Sequence, residues 1–269
     1  AFSKKTHHQD PYQGAYPPTA GVPAARPQQQ VALAKRRQQL KAGISHAVGF
    51  VVVIWAIFII NAFVFANNLN YFGIHPWDTS TLWHIITAPL LHGSWEHLIG
   101  NTSIGVVCAF LIGWSGKRVF WEVTIISTIV AGAFQWLFGG IGSTHIGASG
   151  VIFGWLTYLV IRGIFNRSLS QILVGLALVF YYGGVFYGVL PSEPGISWQG
   201  HLGGAIGGFI AGACITSDDP PELKLRRAQE NSNSCGDRET AAPDVIEQKN
   251  ARFHLFGEPR VIAFLCYST

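Results

Sequence analysis

Charged residues are scarce in this chain. Lys, Arg, Asp and Glu together make up 12% of the 269 residues, whereas hydrophobic residues make up 49%. A soluble domain carries about twice that share of charge. The composition therefore excludes an ordinary soluble protein and predicts a membrane protein with several spans. The net charge of +4 does not indicate a nucleic-acid partner, because the basic residues lie in short segments beside apolar runs.

Metal-binding patterns are also absent. The four cysteines have no metal-ligand spacing, and the chain contains no His-Glu-x-x-His run of the kind that holds a catalytic zinc ion. We therefore expect neither a metal nor a cofactor.

Six apolar segments lie between residues 44 and 217. They cover residues 44–67, 97–115, 119–139, 149–165, 171–190 and 201–216. A helix of about 20 residues crosses a hydrocarbon core of about 30 Å, so we predict an all-α membrane protein with a six-helix bundle. Residues 1–43 are rich in Pro, Gln, His and Ala, and residues 218–269 are polar, which predicts two disordered cytoplasmic tails.

Lysine and arginine are missing from every second connection of this bundle. The connections 68–96, 140–148 and 191–200 contain none of these residues. The segments at the opposite ends of the apolar runs, including both tails, hold Lys35, Arg36, Arg37, Lys41, Lys117, Arg118, Arg162, Arg167, Lys224, Arg226 and Arg227. Basic residues accumulate on the cytoplasmic side of membrane proteins. The pattern predicts a multi-pass protein of the cell membrane with both termini in the cytoplasm.

A serine between small residues opens the fourth segment. Ser149 follows a glycine-rich stretch at 139–147 and is flanked by Ala148 and Gly150. At a helix N-terminus, free N–H groups and the helix dipole favour a developing negative charge. Alone, this pattern is more typical of a simple helix cap than of a nucleophile.

Three further polar residues are predicted at the same depth as Ser149. His201 opens the sixth segment at its outer end, and His97 and Asn101 lie in the first turns of the second segment. Polar groups inside a membrane are costly and are usually functional. The coincidence of four such residues at one level favours a catalytic site that opens to the outer side.

The chemistry of these residue types assigns their roles. Histidine accepts a proton near neutral pH and can activate a serine. Since the fourth and sixth segments contain no Asp or Glu, a Ser149–His201 dyad is the simplest assignment. His97 and Asn101 are four residues apart, share a helix face and could form an oxyanion hole with the backbone N–H of Ser149.

Glycines recur at helical spacing on the sixth segment. They occupy positions 200, 204, 208 and 212, and Gly150 and Gly154 form a similar small face on the fourth segment. Such faces let membrane helices pack closely. The fourth and sixth segments are also the shortest, which predicts a site sunk below the outer surface.

These motifs together resemble the rhomboid family of intramembrane serine proteases, over about residues 44–217. The similar stretches are Gly-Ala-Ser-Gly at 147–150, the histidine and glycines at 201–208, His97 with Asn101, and the loop from Trp83 to Asn101. The resemblance implies a bacterial-type, six-span peptidase that cleaves single-span membrane proteins at or near the outer end of their span. It also implies that the fifth segment and the loop 191–199 form a substrate gate and cap.

Two positions depart from the family pattern. Members often have Trp-Arg where this chain has Trp83-His84, and many have a tyrosine where this chain has Phe153. We expect different bonding inside the loop from the first change. We expect a ring packed under His201, without a hydroxyl, from the second.

Other functions fit less well. An aspartyl intramembrane protease needs two aspartates in its spans, and the second to sixth segments contain none. A small transporter needs paired or interrupted helices. The main alternative is a catalytically silent rhomboid-like protein that binds membrane proteins or acts as a chaperone. The expected partners are transmembrane protein substrates and membrane lipid.

Overall fold

The computed structural model of the protein describes residues 27–183, 190, 197–215, 225 and 229. These residues form helices joined by turns, with one isolated antiparallel bridge between Ile74 and His145 and no named strand. The helices are α1 (Pro27–Phe63), α2 (His84–Thr87), α3 (Trp95–Ser115), α4 (Lys117–Phe138), α5 (Ser149–Phe165), α6 (Leu169–Tyr182) and α7 (Trp198–Cys214). The predicted all-helical fold is confirmed for this part of the chain.

The first helix starts earlier than predicted. Residues 27–43 belong to α1, so the prediction of a disordered tail over residues 1–43 is wrong for this portion. The physical reason is the run of Ala, Leu, Gln, Lys and Arg at 28–42, because these residues have high helix propensity and extend the apolar helix toward its N-terminus. Residues 1–26, the loop 191–196 and nearly all of the tail after residue 217 lie outside the described residues.

Three of the described helices, α1, α3 and α4, are long and apolar enough to cross a membrane. Helices α5 and α6 are apolar but shorter, with 17 and 14 residues, and α7 also has 17. Each residue adds about 1.5 Å to a helix, so these three helices measure roughly 20–25 Å. The count of six spans stays a prediction.

Helix α5 lies at the centre of the bundle. It contacts α3, α4, α6 and α7, and α7 packs against both α4 and α5. Side chains on α5 such as Ile152, Trp155 and Leu156 are buried in the main core, where they meet Cys108 and Ile112 of α3. A helix that is covered on every side is apolar all round. This burial fixes the position of Ser149, its first residue.

Two polar contacts hold α5 against its neighbours. One is made by Arg162 at the end far from Ser149, and the other by Trp155 in the middle of the helix. The guanidinium of Arg162, which is 2% exposed, donates to the carbonyl of Gly212 near the end of α7 at 2.9 Å. The indole N–H of Trp155 donates to Thr124 of α4 at 3.0 Å. The last carbonyls of a helix lack partners within it and carry the negative end of its dipole. Arg162 therefore stabilises α7 and sets its register on α5.

Candidate active site

Helix α5 begins at Ser149, and a non-helical glycine two residues earlier prevents the helix from extending further back. Gly147 has a φ of +116°, a conformation that L side chains rarely adopt. Its N–H donates to the carbonyl of Ala88 at 2.9 Å, which anchors this turn to the connection between α1 and α3. The Ser149 hydroxyl is thus held at the mouth of the helix, with the free N–H groups of the first turn behind it.

His201 lies opposite this hydroxyl, in the first turn of α7. Its Nε2 is 2.8 Å from the Oγ of Ser149, across 52 positions of sequence. The ring is 8% exposed. With the ring proton on Nδ1, Nε2 accepts a hydrogen bond from the serine hydroxyl, which is the arrangement a general base needs. The two residues that were predicted to form a dyad therefore lie in contact.

Phe153 supports the histidine from below. Its ring stacks on that of His201 with centroids 4.2 Å apart and an angle of 11° between the planes. The expectation that a phenylalanine ring packs under His201 is confirmed. Such a stack is worth about 0.5–1.5 kcal/mol beyond its burial, so Phe153 restrains the imidazole to the orientation that reaches Ser149.

If the Ser149–His201 pair is catalytic, Phe153→Leu should lower kcat about tenfold, because a loss of roughly 1.4 kcal/mol in the energy that holds the His201 ring in place corresponds to a factor of ten in rate. Phe153→Tyr, which keeps the ring, is the matched control and should retain most of the activity. The measurement is turnover per folded molecule, with the melting temperature on the same samples. If Phe153→Leu and the wild type had equal kcat, the stack would not be what positions His201.

Glycines let α5 and α7 approach closely enough for this contact. A methyl group added at Gly204 would collide with the carbonyl oxygen of Gly150, and one added at Gly208 would collide with that of Gly154. The two helices therefore touch backbone to backbone below the Ser149–His201 pair. The predicted small faces do meet each other.

Residues 145–149 lead into α5 and carry the predicted nucleophile, and we refer to them as the nucleophile turn. His97 and Asn101 lie on the other side of this turn. A methyl group at Gly147 would collide with the His97 ring and would lie 3.6 Å from the Asn101 side-chain nitrogen. Both side chains therefore face the backbone two residues before Ser149. Asn101 is 8% exposed, and His97 is half-buried. Hydrogen-bond donors so close to the turn are placed where an oxyanion could form.

The connection between α1 and α3 is hydrogen-bonded to the nucleophile turn. Ile74 exchanges two backbone hydrogen bonds of 2.9 Å with His145. His84, at the position where the family often has arginine, donates from Nδ1 to the Gly73 carbonyl at 2.7 Å. We expected the bonding inside this loop to differ because His84 replaces an arginine. The buried imidazole of His84 makes one hydrogen bond to the loop backbone.

Burial lowers the pKa of His145, and nearby His75 adds to the effect.

One buried residue of the site, His92, was not among the predicted site residues. His92, in the turn before α3, is 0% exposed and lies 3.0 Å from the Asn101 side-chain nitrogen. Burial is the main cause and the neighbouring His97 a smaller one of a shift that lowers the pKa of His92 to about 4, although a hydrogen bond to the Leu90 backbone acts in the opposite direction. The sequence gives no clear signal for it, because the connection 68–96 also holds His75, Asp78, His84 and Glu96. Among the described residues, no group of three His, Cys, Asp or Glu side chains could hold a metal ion.

These features define a class of protein. It is a helical membrane protein in which a serine and a histidine at the ends of two buried helices are in hydrogen-bond contact. The profile of the rhomboid domain matches residues 79–218. The chain is 42% identical over 172 residues to the uncharacterized protein ML1171 of Mycobacterium leprae, covering 61% of this chain and 67% of that protein. It is 36% identical over 214 residues to the uncharacterized protein Rv1337 of Mycobacterium tuberculosis, covering 77% and 89%.

A relative named as a protease matches over a shorter stretch. The rhomboid protease GluP of Bacillus subtilis is 31% identical over 138 residues, which is 49% of this chain and 26% of that protein. The chain therefore belongs to the rhomboid family, as its motifs predicted. That family includes intramembrane serine proteases.

Proposed function

We propose that this protein is an intramembrane serine endopeptidase that uses a Ser149–His201 dyad. The observation that carries the proposal is the 2.8 Å contact between the Ser149 Oγ and the His201 Nε2 inside an apolar bundle. A half-buried serine, a buried histidine and an aromatic ring stacked on that histidine at one helix mouth are the parts that a serine–histidine catalytic pair needs. The experiment that tests it is incubation of the purified protein in liposomes with a generic single-span membrane protein, followed by detection of the cut fragments.

The proposed reaction proceeds through an acyl-enzyme. The Ser149 oxygen attacks the peptide carbonyl while its proton moves to the Nε2 of His201, and the imidazolium then protonates the departing amine. A water molecule, activated by the same histidine, hydrolyses the ester and regenerates the hydroxyl. The side chains of His97 and Asn101 and the Ser149 backbone N–H would stabilise the oxyanion in both steps.

Substrate and orientation are part of the same proposal. The positive residues at the opposite ends of the helices favour cytoplasmic termini and a site that opens to the outer side of the cell membrane. Because α5 has 17 residues and α7 also has 17, Ser149 would lie several ångströms below that surface. A peptide must be extended to reach it, so spans whose helix unwinds readily should be preferred.

The role of Asn101 can be separated from a structural one. Asn101→Ala should lower kcat by about 10²–10³, because one oxyanion donor is typically worth that much, while KM changes little. The measurement is turnover and melting temperature on one purified sample. A large fall in melting temperature with near-normal turnover per folded molecule would remove Asn101 from the mechanism and leave the oxyanion to His97 and the backbone.

A further inference from the structure

His92 contacts both residues of the proposed oxyanion hole. It lies in the short turn between Leu91 and the start of α3, outside any span, and is fully buried. Its Nε2 is 3.0 Å from the Asn101 side-chain nitrogen. Its ring also packs edge-to-face on that of His97, with centroids 5.1 Å apart and 61° between the planes.

The chemistry of the Asn101 contact defines the state of His92. An amide nitrogen has two donors and no acceptor, so the Nε2 of His92 must accept and must carry no proton. The ring proton is then on Nδ1, a buried atom that has no hydrogen-bond partner within the usual geometric limits among the described residues and has the Leu90 backbone as its neighbouring acceptor. The environment is consistent with this neutral form, since burial is the main influence on the ring and His97 is the ionisable group that acts on it.

The same contact decides which end of the Asn101 amide faces the nucleophile turn. The nitrogen that contacts His92 is also the atom that would lie 3.6 Å from a methyl group at Gly147. One N–H can therefore bond to His92 while the other stays available beside Gly147. If the amide rotated by 180°, its oxygen would face the turn and would repel a developing oxyanion.

We propose that His92 is a positioning residue that fixes the orientation of the Asn101 amide and so keeps a donor, not an acceptor, at the oxyanion hole. This inference rests on the proposed peptidase function for its kinetic consequences. Its structural content, a neutral His92 with an accepting Nε2, does not depend on that function. A purely space-filling residue in this turn would need neither an acceptor nor a particular tautomer.

Kinetics provide the first test. His92→Leu should lower kcat roughly tenfold to a hundredfold with little change in KM, because a misplaced catalytic group costs up to that much. His92→Gln places an amide oxygen near the lost Nε2 and should recover much of the loss. The double variant His92→Leu/Asn101→Ala should be no slower than Asn101→Ala, since His92 acts through Asn101.

The contrary results are equally definite. The positioning role would be overturned if the double variant lost kcat by the product of the two single losses. It would also be overturned if His92→Gln were as slow as His92→Leu. The control is His46→Leu, which removes a histidine of α1 whose Nδ1 contacts the Ala42 carbonyl at 2.7 Å. That change should leave turnover per folded molecule at the wild-type level.

A spectroscopic test works without any activity. In full-length Ser149→Ala protein labelled with ¹⁵N-histidine, the signal that disappears in His92→Gln belongs to His92. It should show a protonated Nδ1 and an unprotonated Nε2 at pH 7, and it should stay neutral down to about pH 4. A proton on Nε2, or a titration near the ordinary value, would overturn the inference. Absence of peptidase activity in the wild type would instead refute the proposed function and leave this result standing.

Discussion

Ser149→Ala is expected to abolish cleavage of a single-span substrate, with kcat reduced by at least about 10⁴. The nucleophile of a serine–histidine unit cannot be replaced by water in the same site, and removing one member of such units costs on the order of 10⁴–10⁶ in rate. His201→Ala should be equally inactive. Since the two residues act together, the double variant should be no slower than either single one. The measurement is fragment formation in liposomes at matched amounts of folded protein.

A matched serine on the same bundle provides the control. Ser103 is exposed on α3, and its hydroxyl donates to the Gly100 carbonyl of its own helix. Ser103→Ala should therefore cleave at the wild-type rate. Clear turnover by Ser149→Ala would refute the dyad. If the wild type also failed to cleave but still bound the substrate, the alternative of a catalytically silent binding protein would be favoured.

Gly204→Ala is expected to lower both stability and activity, although it adds a single methyl group. That methyl would collide with the backbone oxygen of Gly150, which cannot turn aside as a flexible side chain can. Overpacking of this kind costs about 1–3 kcal/mol or more. Because Gly204 lies one turn after His201, separation of the helices by about 1 Å could cost roughly a hundredfold in rate.

The melting temperature and kcat of Gly204→Ala should be compared with those of Gly49→Ala. Gly49 is also helical, but nothing lies within 4 Å of a methyl group placed there. Alanine is favoured over glycine by up to about 1 kcal/mol in a helix, so Gly49→Ala should be neutral or slightly stabilising. If both variants behaved alike, tight packing between α5 and α7 would not be needed for activity.

Much of the bundle could be predicted from the sequence, because long apolar runs define membrane helices with little influence from their neighbours. The fourth segment was predicted from Ser149 to Phe165, the bounds that the structure has. The contact of Ser149 with His201 followed from topology, since both were expected at the same depth. Their catalytic role and the orientation of the protein in the membrane stay proposals.

The remaining features depend on local geometry that no periodicity reveals. Residues 27–43 look polar and irregular, yet they continue α1, because helix propensity acts where hydrophobicity gives no signal. His92 has no spacing that links it to Asn101, and only the turn before α3 brings its ring under the amide. The positive φ of Gly147 likewise depends on the path of the chain around the His97 ring.

Three backbone hydrogen bonds form a tether between the α1–α3 connection and the nucleophile turn, and this tether has a consequence for hydrogen exchange. The amides of Ile74, His145 and Gly147 are all bonded across these two segments, so they should open together as one cooperative unit. Each opening would release the turn before Ser149 while α5, held by its core contacts, stayed folded. The amides of the helical bundle would then exchange most slowly, and the amides of Ile74, His145 and Gly147 would exchange faster as a group. The protein would spend part of its time folded but without an assembled nucleophile.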